Sequence, residues 1–357
     1  MPAAGTTEVL RTQYGAIVQG DSLDVLAELP DGSVDLIMTS PPFGLVRKKE
    51  YGNVDAPDYV DWFRPFGRAF LRVLKDNGSL VIDIGGAWNP GVPTRSLYHF
   101  KLLVDLVEEV GFHLAQEFFW WNPSKLPSPA EWVTVRRIRV KDAVNCVWWL
   151  SKTPWPKASN RRVLQPYSES MKGLLKNGYK PKLRPSGHDI SQNFGRDNQA
   201  AIPPNLLAIS NTDSNGAYLR YCRANRIEPH PARFPPALPA HFVRMLTDVG
   251  DLVVDPFAGS CVTGEVCDSL QRRWVCVEMR EEYARGAVGR FGPQTLVLEP
   301  APDDTDPGEG NEEDRGRHST GIWTTGDGAL LPADGGMTRE RRASGNRARP
   351  ATERRPA

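Results

Sequence analysis

The chain has 357 residues, of which 24% are charged and 40% hydrophobic, and its formal net charge is +1. This length fits one large α/β domain with an insertion, or two domains. The five cysteines are scattered and odd in number, which argues against a disulfide framework and against a structural zinc site. No signal-peptide pattern or apolar run of about 20 residues is present, so we expect a cytoplasmic protein without a metal or a membrane partner.

The first part of the chain, residues 1–150, alternates between predicted strands and helices. The apolar run "SVDLIMT" predicts a buried strand, which ends where Pro41 and Pro42 remove two backbone donors. The segment "DYVDWFRPFGRAFLRVLKDNG" has helical spacing, and Pro65 inside it predicts a kink or a later helix start. A second buried strand ("SLVIDIGG"), an amphipathic helix closed by Gly111 and a strand ("FHLAQEFFWWN") follow.

Two later segments depart from this alternation. Residues 151–230 are rich in Pro, Asn, Ser, Lys and Arg, which predicts a loop-rich insertion. The alternation resumes over residues 231–299, with a strand "DLVVD", a helix from about Val262 and a strand "RRWVCVEM". Residues 300–357 are first acidic and then arginine-rich with few large apolar residues, so we expect a disordered tail.

The corner at "TSPPF" combines several polar groups with an aromatic ring. It presents carbonyl oxygens, the Ser40 hydroxyl and the Phe43 ring on a backbone that two prolines make rigid. A Ser-Pro-Pro triplet alone is most often a surface turn, so its meaning depends on the rest of the chain.

A second motif, "DLVVDPFAGSCVTGEV", predicts a strand ending at Asp255, then a tight turn and a helix. Ligands of open α/β sheets bind at such strand ends. Gly259 allows a ligand to approach the backbone closely, and Glu278 ends the next strand, where an acid can hold a ribose diol. Without a Gly-x-Gly-x-x-Gly pattern or a Walker lysine, the motif favours a nucleoside without phosphates, of which S-adenosylmethionine is the commonest. The alternative is that Asp255 only caps a strand end and Glu278 is a solvated acid.

Together, "TSPPF" and "DPFAGS" resemble the DNA amino-methyltransferases whose catalytic motif precedes the cofactor motif (the β group). The phrases "SPPFGLVRKKEYGN", "NPSKLPSP", "IRVKDAVN", "RPSGHDI", "IPPNLL" and "HPARFP" are most similar to the PvuII-type cytosine-N4-specific modification methyltransferases, and the resemblance covers residues 14–295. It implies an α/β, Rossmann-like S-adenosylmethionine-dependent methyltransferase fold with a mixed, mostly parallel sheet. The chain then divides into a catalytic half (1–150), a target-recognition insertion (151–230), a cofactor-binding half (231–299) and the tail. One departure is Cys261, where the family usually has Gly or another small residue; we expect it to be tolerated.

The residues at the corner suit methylation of an amine. The exocyclic amine of cytosine is a poor nucleophile, because its lone pair is delocalised into the ring. Acceptors at Ser40 Oγ and the Pro41 carbonyl would draw this nitrogen toward tetrahedral geometry, and Phe43 would stack on an extruded base. Asp83 could lie near Ser40 and receive the proton, although a satisfied strand-end acid is an equal alternative. The predicted catalytic residues are Ser40, Pro41, Pro42, Phe43 and Asp83.

The resemblance also implies the cofactor contacts. The turn after "DLVVD" surrounds the amino-acid end of the cofactor, and the end of the next strand holds its ribose. An acid in "GDSLDVL" meets the adenine amine, and "HPARFP" closes over the methionine moiety. For Asp21 and His230, capping or core roles remain open alternatives. The predicted cofactor residues are Asp21, His230, Asp255, Phe257, Gly259, Ser260 and Glu278.

Two basic runs and the insertion are the predicted DNA contacts. Runs such as "RKK" and "VRRIRVK" are most often solvated faces, but beside a catalytic corner they would bind phosphate and position the duplex. Side chains of "RPSGHDI" are candidates for reading bases, with a structural role as the alternative. The predicted DNA-binding residues are Arg47, Lys48, Lys49, Arg136, Arg137, Arg139, Lys141, Ser186, His188 and Asp189.

The resemblance implies N4-methylation of the inner cytosine of CAGCTG in double-stranded DNA. This would be the protective arm of a restriction-modification system, whose endonuclease acts on the same site without direct contact. Adenine-N6 methylation is the main rival, although those enzymes more often carry Asp where Ser40 stands. Carbon-5 methylation needs a cysteine after proline, and no Pro-Cys pair exists here. A non-catalytic DNA-binding module and an RNA substrate are the remaining alternatives.

Overall fold

A mixed sheet of ten strands runs through the part of the chain that the computed structural model describes, namely residues 5–44, 54–178, 196–212, 215–292 and 296–297. The strands are β1 (Thr7–Arg11), β2 (Gly15–Gln19), β3 (Val34–Thr39), β4 (Leu74–Ile84), β5 (His113–Trp121), β6 (Val144–Ser151), β7 (Leu206–Ala208), β8 (Leu252–Asp255), β9 (Arg273–Glu278) and β10 (Leu296–Val297). The predicted tail lies outside these residues.

Eight α-helices connect or cover the strands in the same described ranges. They are α1 (Ser22–Glu28), α2 (Tyr59–Val73), α3 (Tyr98–Asp105), α4 (Glu169–Asn177), α5 (Ala217–Ala224), α6 (Ala237–Leu246), α7 (Val262–Ser269) and α8 (Glu281–Ala287). Two π-helical turns (Leu106–Val110 and Glu131–Val135) and two 3-10 turns (Asn160–Val163 and Val288–Arg290) are the other helical segments of the described residues.

The strand order is β10-β1-β2-β9-β8-β3-β4-β6-β5-β7. The central strands β2, β9, β8, β3 and β4 run parallel to one another, whereas β1 pairs antiparallel with β2, and β6 pairs antiparallel with both β4 and β5. From β3 the chain crosses to β4 on one side, and from β8 it crosses to β9 on the other. The boundary between β3 and β8 is therefore the point where the strand order reverses, which is where such sheets bind ligands. This is the predicted mixed, Rossmann-like sheet.

The hydrophobic core lies on both faces of the sheet. On one face, α1, α2 and α3 contribute buried side chains such as Leu26, Phe63 and Leu102. On the other face, α6 and α7 contribute side chains such as Phe242 and Val266. Because both faces are covered, the central strands are apolar without alternation, as the run "SVDLIMT" predicts.

One local prediction, the start of a helix, meets a different outcome. The helix α2 begins at Tyr59, six residues before Pro65, so the expected later start is wrong. Proline in this position removes one N–H from the helix, and the burial of the apolar face of α2 offsets that cost. The segment 151–230 contains α4, β7 and α5 between its loops, and β7 pairs in parallel with β5.

Candidate active site

The two motifs meet at the carboxyl edge of the sheet, where β3 and β8 lie side by side. The hydroxyl of Thr39, the last residue of β3, donates a hydrogen bond to Asp255 Oδ1 at 2.8 Å, which joins the two strand ends. A cavity of about 780 Å³ opens at this edge. The predicted catalytic and cofactor residues that line it are Asp21, Ser40, Pro41, Pro42, Phe43, Asp83, His230, Phe257, Gly259, Ser260 and Glu278.

Ser40 and Asp83 form a hydrogen-bonded pair at the corner. Asp83 lies on β4, where its Oδ2 accepts from Ser40 Oγ at 3.2 Å and its Oδ1 accepts from Asn145 Nδ2 at 3.2 Å. Burial raises the pKa of Asp83 to about 7, although the hydrogen bonds from Asn145 and Ser40 lower it. A carboxyl with this pKa exchanges a proton near neutral pH. Because Ser40 Oγ donates its proton to Asp83, its lone pairs are left to accept hydrogen bonds from another group.

Two tyrosines hold the corner in place. The Tyr59 hydroxyl donates to the Pro42 carbonyl at 2.7 Å, and the Tyr98 hydroxyl donates to the Gly85 carbonyl. The two tyrosine rings contact each other edge-to-face with centroids 4.8 Å apart. A Cβ at Gly85 would lie 2.5 Å from Phe43 Cε2, so glycine is required there for the Phe43 ring to pack against the backbone. The corner is thus a braced structure rather than a free surface turn.

Asp255 lies behind the cavity wall and organises it. Its carboxylate accepts from the hydroxyls of Thr39 and Thr263 and from the Phe257 N–H, at 2.8, 2.6 and 3.1 Å. Burial raises the pKa of Asp255 to about 6, although these three hydrogen bonds lower it. All of these partners belong to the protein and the carboxylate is 1% exposed, so Asp255 positions the turn after β8. It is not among the residues that line the cavity.

The turn after β8 approaches the end of β9 closely. Glu278 accepts the Gly259 N–H and the Arg280 N–H, one on each carboxylate oxygen, both at 2.9 Å. Burial raises the pKa of Glu278, and the two backbone hydrogen bonds lower it. Gly259 has φ +53°, and a Cβ there would lie 3.1 Å from His230 Cε1. The His230 Nδ1 is 2.6 Å from the Ala232 carbonyl, to which it donates.

Cys261, the departure from the family pattern, is accommodated at the start of α7. Its φ of +58° lies in the left-handed region that favours glycine, which gives a physical reason for the small residue usual there. The side chain is fully buried, and its N–H donates to the Ala258 carbonyl at 2.7 Å.

An aromatic wall forms one side of the cavity. The Phe257 ring lies 5.0 Å from Phe66 and 6.0 Å from Trp62, measured between centroids. Asp21 lies near this wall, where it caps α1 by accepting the Leu23 N–H at 2.8 Å. Aromatic faces beside carboxylates suit a nucleoside, which has one apolar face and a hydroxylated sugar.

Sequence reasoning missed Asn145, Lys125 and the aromatic residues of α2. Asn145 reaches Asp83 because β6 pairs antiparallel with β4, a register that the sequence does not specify. Lys125 lines the cavity, and burial lowers its pKa while the carboxylates of Asp142 and Asp83 raise it. Asn145 lies in "IRVKDAVN" and Lys125 in "NPSKLPSP". Both phrases carry the family resemblance, and this is the sequence signal by which the two residues could have been found.

The predicted DNA contacts divide into two groups. In the connection between β5 and β6, Arg136 and Arg137 are exposed. Arg139 instead donates to the Pro93 carbonyl and pairs with Asp142, and Lys141 donates to two carbonyls of the same connection. The other predicted residues, Arg47, Lys48, Lys49, Ser186, His188 and Asp189, lie outside the described residues.

No group of three or more His, Cys, Asp or Glu side chains in the described ranges is arranged to hold a metal ion. No helix within those ranges has the length and apolar character needed to cross a membrane.

Comparisons with known proteins agree with this geometry. A sequence model of a DNA methylase family, N6_N4_Mtase, matches residues 34–289. The chain is 53% identical over 290 residues to the type II methyltransferase M.PvuII of Proteus hauseri, covering 80% of this chain and 86% of that protein. It is 26% identical over 272 residues to M.BglII of Bacillus subtilis, covering 75% and 66%.

Among solved structures, a PvuII DNA methyltransferase described as cytosine-N4-specific matches with a TM-score of 0.66 and 47% identity, covering 80% of this chain and 90% of that one. This chain and the PvuII DNA methyltransferase therefore have the same fold. The chain belongs to the N6/N4 DNA methylase family.

Proposed function

We propose that this chain transfers a methyl group from S-adenosylmethionine to the N4 amine of cytosine in duplex DNA. The observation that carries the proposal is the Ser40–Asp83–Asn145 arrangement, which opens into the same cavity as the turn after β8. The PvuII DNA methyltransferase, which is 47% identical to this chain, is described as cytosine-N4-specific, and this supports cytosine as the base.

The cavity fits the cofactor. Each oxygen of Glu278 accepts one backbone N–H and retains a lone pair, so the carboxylate can also accept two ribose hydroxyls. Gly259 leaves open the space that a Cβ would fill beside His230, and Phe257 offers an aromatic face. When bound, S-adenosylmethionine supplies an electrophilic methyl group. Asp21 would approach the adenine amine, Ser260 would lie at the amino-acid end, and Asp255 would hold the turn in shape.

The corner activates the amine. Ser40 Oγ and the Pro41 carbonyl accept the two N–H groups of cytosine N4, which localises the lone pair on nitrogen. A base inside a duplex cannot reach the site, so the cytosine must be extruded from the helix. Phe43 stacks on the extruded base. As the new N–C bond forms, the bond between the methyl group and the sulfonium sulfur would break, and the sulfur would keep the electron pair. N4 must then lose one proton, and Asp83 receives it. Most of the acceleration comes from holding the reacting atoms in line.

We further propose that the target is the inner cytosine of CAGCTG and that the segment 151–230 reads the bases. The support is the similarity to M.PvuII, which extends over 290 residues and so includes this segment. The enzyme would act in the cytoplasm as the protective arm of a restriction-modification system. A cognate endonuclease would recognise the same site without contacting this chain, as the type II names of the relatives suggest.

Incorporation of labelled methyl groups tests this proposal. We expect transfer to a duplex containing CAGCTG and not to one with the scrambled site CACGTG. Ser40→Ala should lower turnover by about 10²-fold or more with cofactor affinity preserved, because Ser40 acts only at the amine. Ser33→Ala, a serine whose hydroxyl donates to the Pro30 carbonyl, is the matched control and should behave as wild type. Full activity of Ser40→Ala would exclude the corner as the catalytic site. Cofactor binding without any transfer would favour a non-catalytic DNA-binding module.

A further inference from the structure

The connection between β5 and β6 begins and ends at the cavity. β5 ends at Trp121 and β6 begins at Val144, so residues 122–143 lie between two paired strands. Asn122 and Lys125 near its start, and Ala143 at its end, line the cavity. The connection therefore lies at the same edge of the sheet as the catalytic corner.

Large apolar side chains on this connection are exposed to solvent. Leu126, which directly follows the cavity-lining Lys125, is 80% exposed. Val135, Ile138 and Val140 are 69%, 59% and 85% exposed. A single exposed leucine is ordinary, but four large apolar residues within fifteen positions at the rim of a cavity indicate a contact surface.

The base of the connection is fixed by hydrogen bonds on both sides of Leu126. Lys141 Nζ donates to the carbonyls of Pro123 and Lys125, at 3.4 and 3.1 Å. The Lys125 N–H donates to the Asn122 carbonyl at 3.2 Å, and the Ser128 carbonyl accepts the Asp142 N–H at 3.1 Å. Leu126 is thus held outward beside the cavity.

We propose that Leu126 enters the base stack of the DNA and fills the position that the target cytosine leaves. This inference rests on the proposed function, because it requires a base extruded into the cavity. Extrusion breaks stacking on both sides of the base, and an apolar side chain inserted there restores contact with the neighbouring bases. The exposed guanidinium group of Arg137 on the same connection matches the charge of the adjoining phosphates, whereas Arg136 is already paired with Glu131 at 2.7 Å.

The test compares two DNA duplexes with wild-type enzyme, Leu126→Ala, Leu126→Met and a control. One duplex has CAGCTG fully paired, and the other has an abasic site opposite the target cytosine, which makes extrusion easy. Leu114→Ala is the matched control, since Leu114 is 40% exposed near the opposite end of β5. A fluorescent cytosine analogue at the target position reports unstacking in a parallel experiment.

We expect kcat/KM of Leu126→Ala on the paired duplex to fall by about 10- to 100-fold, because unstacking is no longer offset. On the abasic duplex it should approach wild type, Leu126→Met should retain most activity on both, and Leu114→Ala should match wild type. The unstacking signal should fall with Leu126→Ala only.

Wild-type activity of Leu126→Ala on the paired duplex would overturn the inference, and so would an equal loss on both duplexes. If the wild-type enzyme transferred no methyl group to either duplex, the proposed function itself would fail.

Discussion

A buried carboxyl that no cation fully neutralises is costly, and Asp83 is such a group. Its hydrogen-bond partners, Ser40 and Asn145, are neutral, and burial raises its pKa to about 7. The sequence pointed to Asp83 because an acid ends an apolar strand beside a polar corner. It did not indicate Asn145, because the partner depends on which strand lies beside β4.

The first prediction concerns activity. Asp83→Asn removes the proton acceptor while keeping the shape of the side chain, so kcat should fall by about 10²- to 10⁴-fold. Wild-type kcat should decline as pH falls below about 7, where Asp83 becomes protonated. A pH profile of kcat with saturating cofactor measures both effects. An unchanged acid limb in Asp83→Asn would assign the titration to another group.

The second prediction concerns stability, and its sign follows from the raised pKa. The unfolded chain loses the Asp83 proton near pH 4, whereas the folded chain retains it to about pH 7. The folded state therefore loses stability as pH rises between these values. At pH 8, Asp83→Asn should be more stable than wild type by on the order of 2–4 kcal/mol, and the difference should shrink toward pH 5.

Urea unfolding at the two pH values measures this difference. Asp76→Asn, which changes an exposed acid on the same strand, should alter the free energy of unfolding little at either pH. Equal stability of Asp83→Asn and wild type at pH 8 would mean that burial of this carboxyl carries no penalty.

The third prediction separates cofactor binding from catalysis at Glu278. Glu278→Gln replaces one acceptor oxygen by an amide donor that faces a backbone N–H or a ribose hydroxyl. We expect the Kd for S-adenosylmethionine to rise by about 10- to 100-fold, equivalent to the loss of one charge-assisted hydrogen bond of ~1.5–3 kcal/mol. Calorimetry gives the Kd directly. Glu281→Gln, which changes an exposed acid at the start of α8 that pairs with Arg285, should bind as wild type.

At the scale of elements, apolar runs and prolines predicted the strands well. β3, β5, β8 and β9 lie within the runs from which they were predicted, whereas β4 overlaps its run but begins at Leu74, in a segment predicted as helix. The start of α2 could not be predicted in the same way, because Pro65 is a local signal and the burial of Phe63 and Phe66 is a tertiary effect that outweighs it. The two motifs do not themselves show that β3 and β8 are neighbours. That their strand ends share one edge could be expected only from the general rule that open α/β sheets bind ligands at the carboxyl ends of their strands.

The fourth prediction tests how α2 supports the catalytic corner. Tyr59→Phe keeps the ring contacts and removes the hydrogen bond to the Pro42 carbonyl. We expect kcat to fall about tenfold, with stability reduced by ~0.5–1.5 kcal/mol and cofactor affinity unchanged. Tyr14→Phe, in the turn between β1 and β2, is the control and should leave kcat unaltered. An unchanged kcat in Tyr59→Phe would show that the two prolines alone fix the corner.

At the scale of the whole molecule, one sheet edge collects residues from distant parts of the chain. Ser40, Asp83, Asn145 and Glu278 come from four strands or their ends, and they surround one cavity. The sequence identified the two motifs but not the path of the connection between β5 and β6, because irregular segments carry no periodic signal. Its place at the cavity is known only from the fold.

The fifth prediction concerns the tail. Residues 301–357 lie outside the described residues, and their composition gives them little apolar surface to bury. Their deletion should leave the Tm and the rate of methyl transfer unchanged, with at most a modest loss of nonspecific DNA affinity at low salt from the removed arginines. Scanning calorimetry and a methyl-transfer assay of the shortened chain check this. A lower Tm or a lower rate would show that the tail contributes to the fold or to the reaction.

The identity of the methylated base tests the central claim most directly. Plasmid DNA containing CAGCTG would be incubated with the enzyme and S-adenosylmethionine, digested to nucleosides and analysed by mass spectrometry against authentic standards. The Ser40–Asp83 corner predicts N4-methyldeoxycytidine as the product, formed about 10²-fold or more slowly when Ser40→Ala replaces the wild-type enzyme. Detection of N6-methyldeoxyadenosine or 5-methyldeoxycytidine in its place would contradict the account.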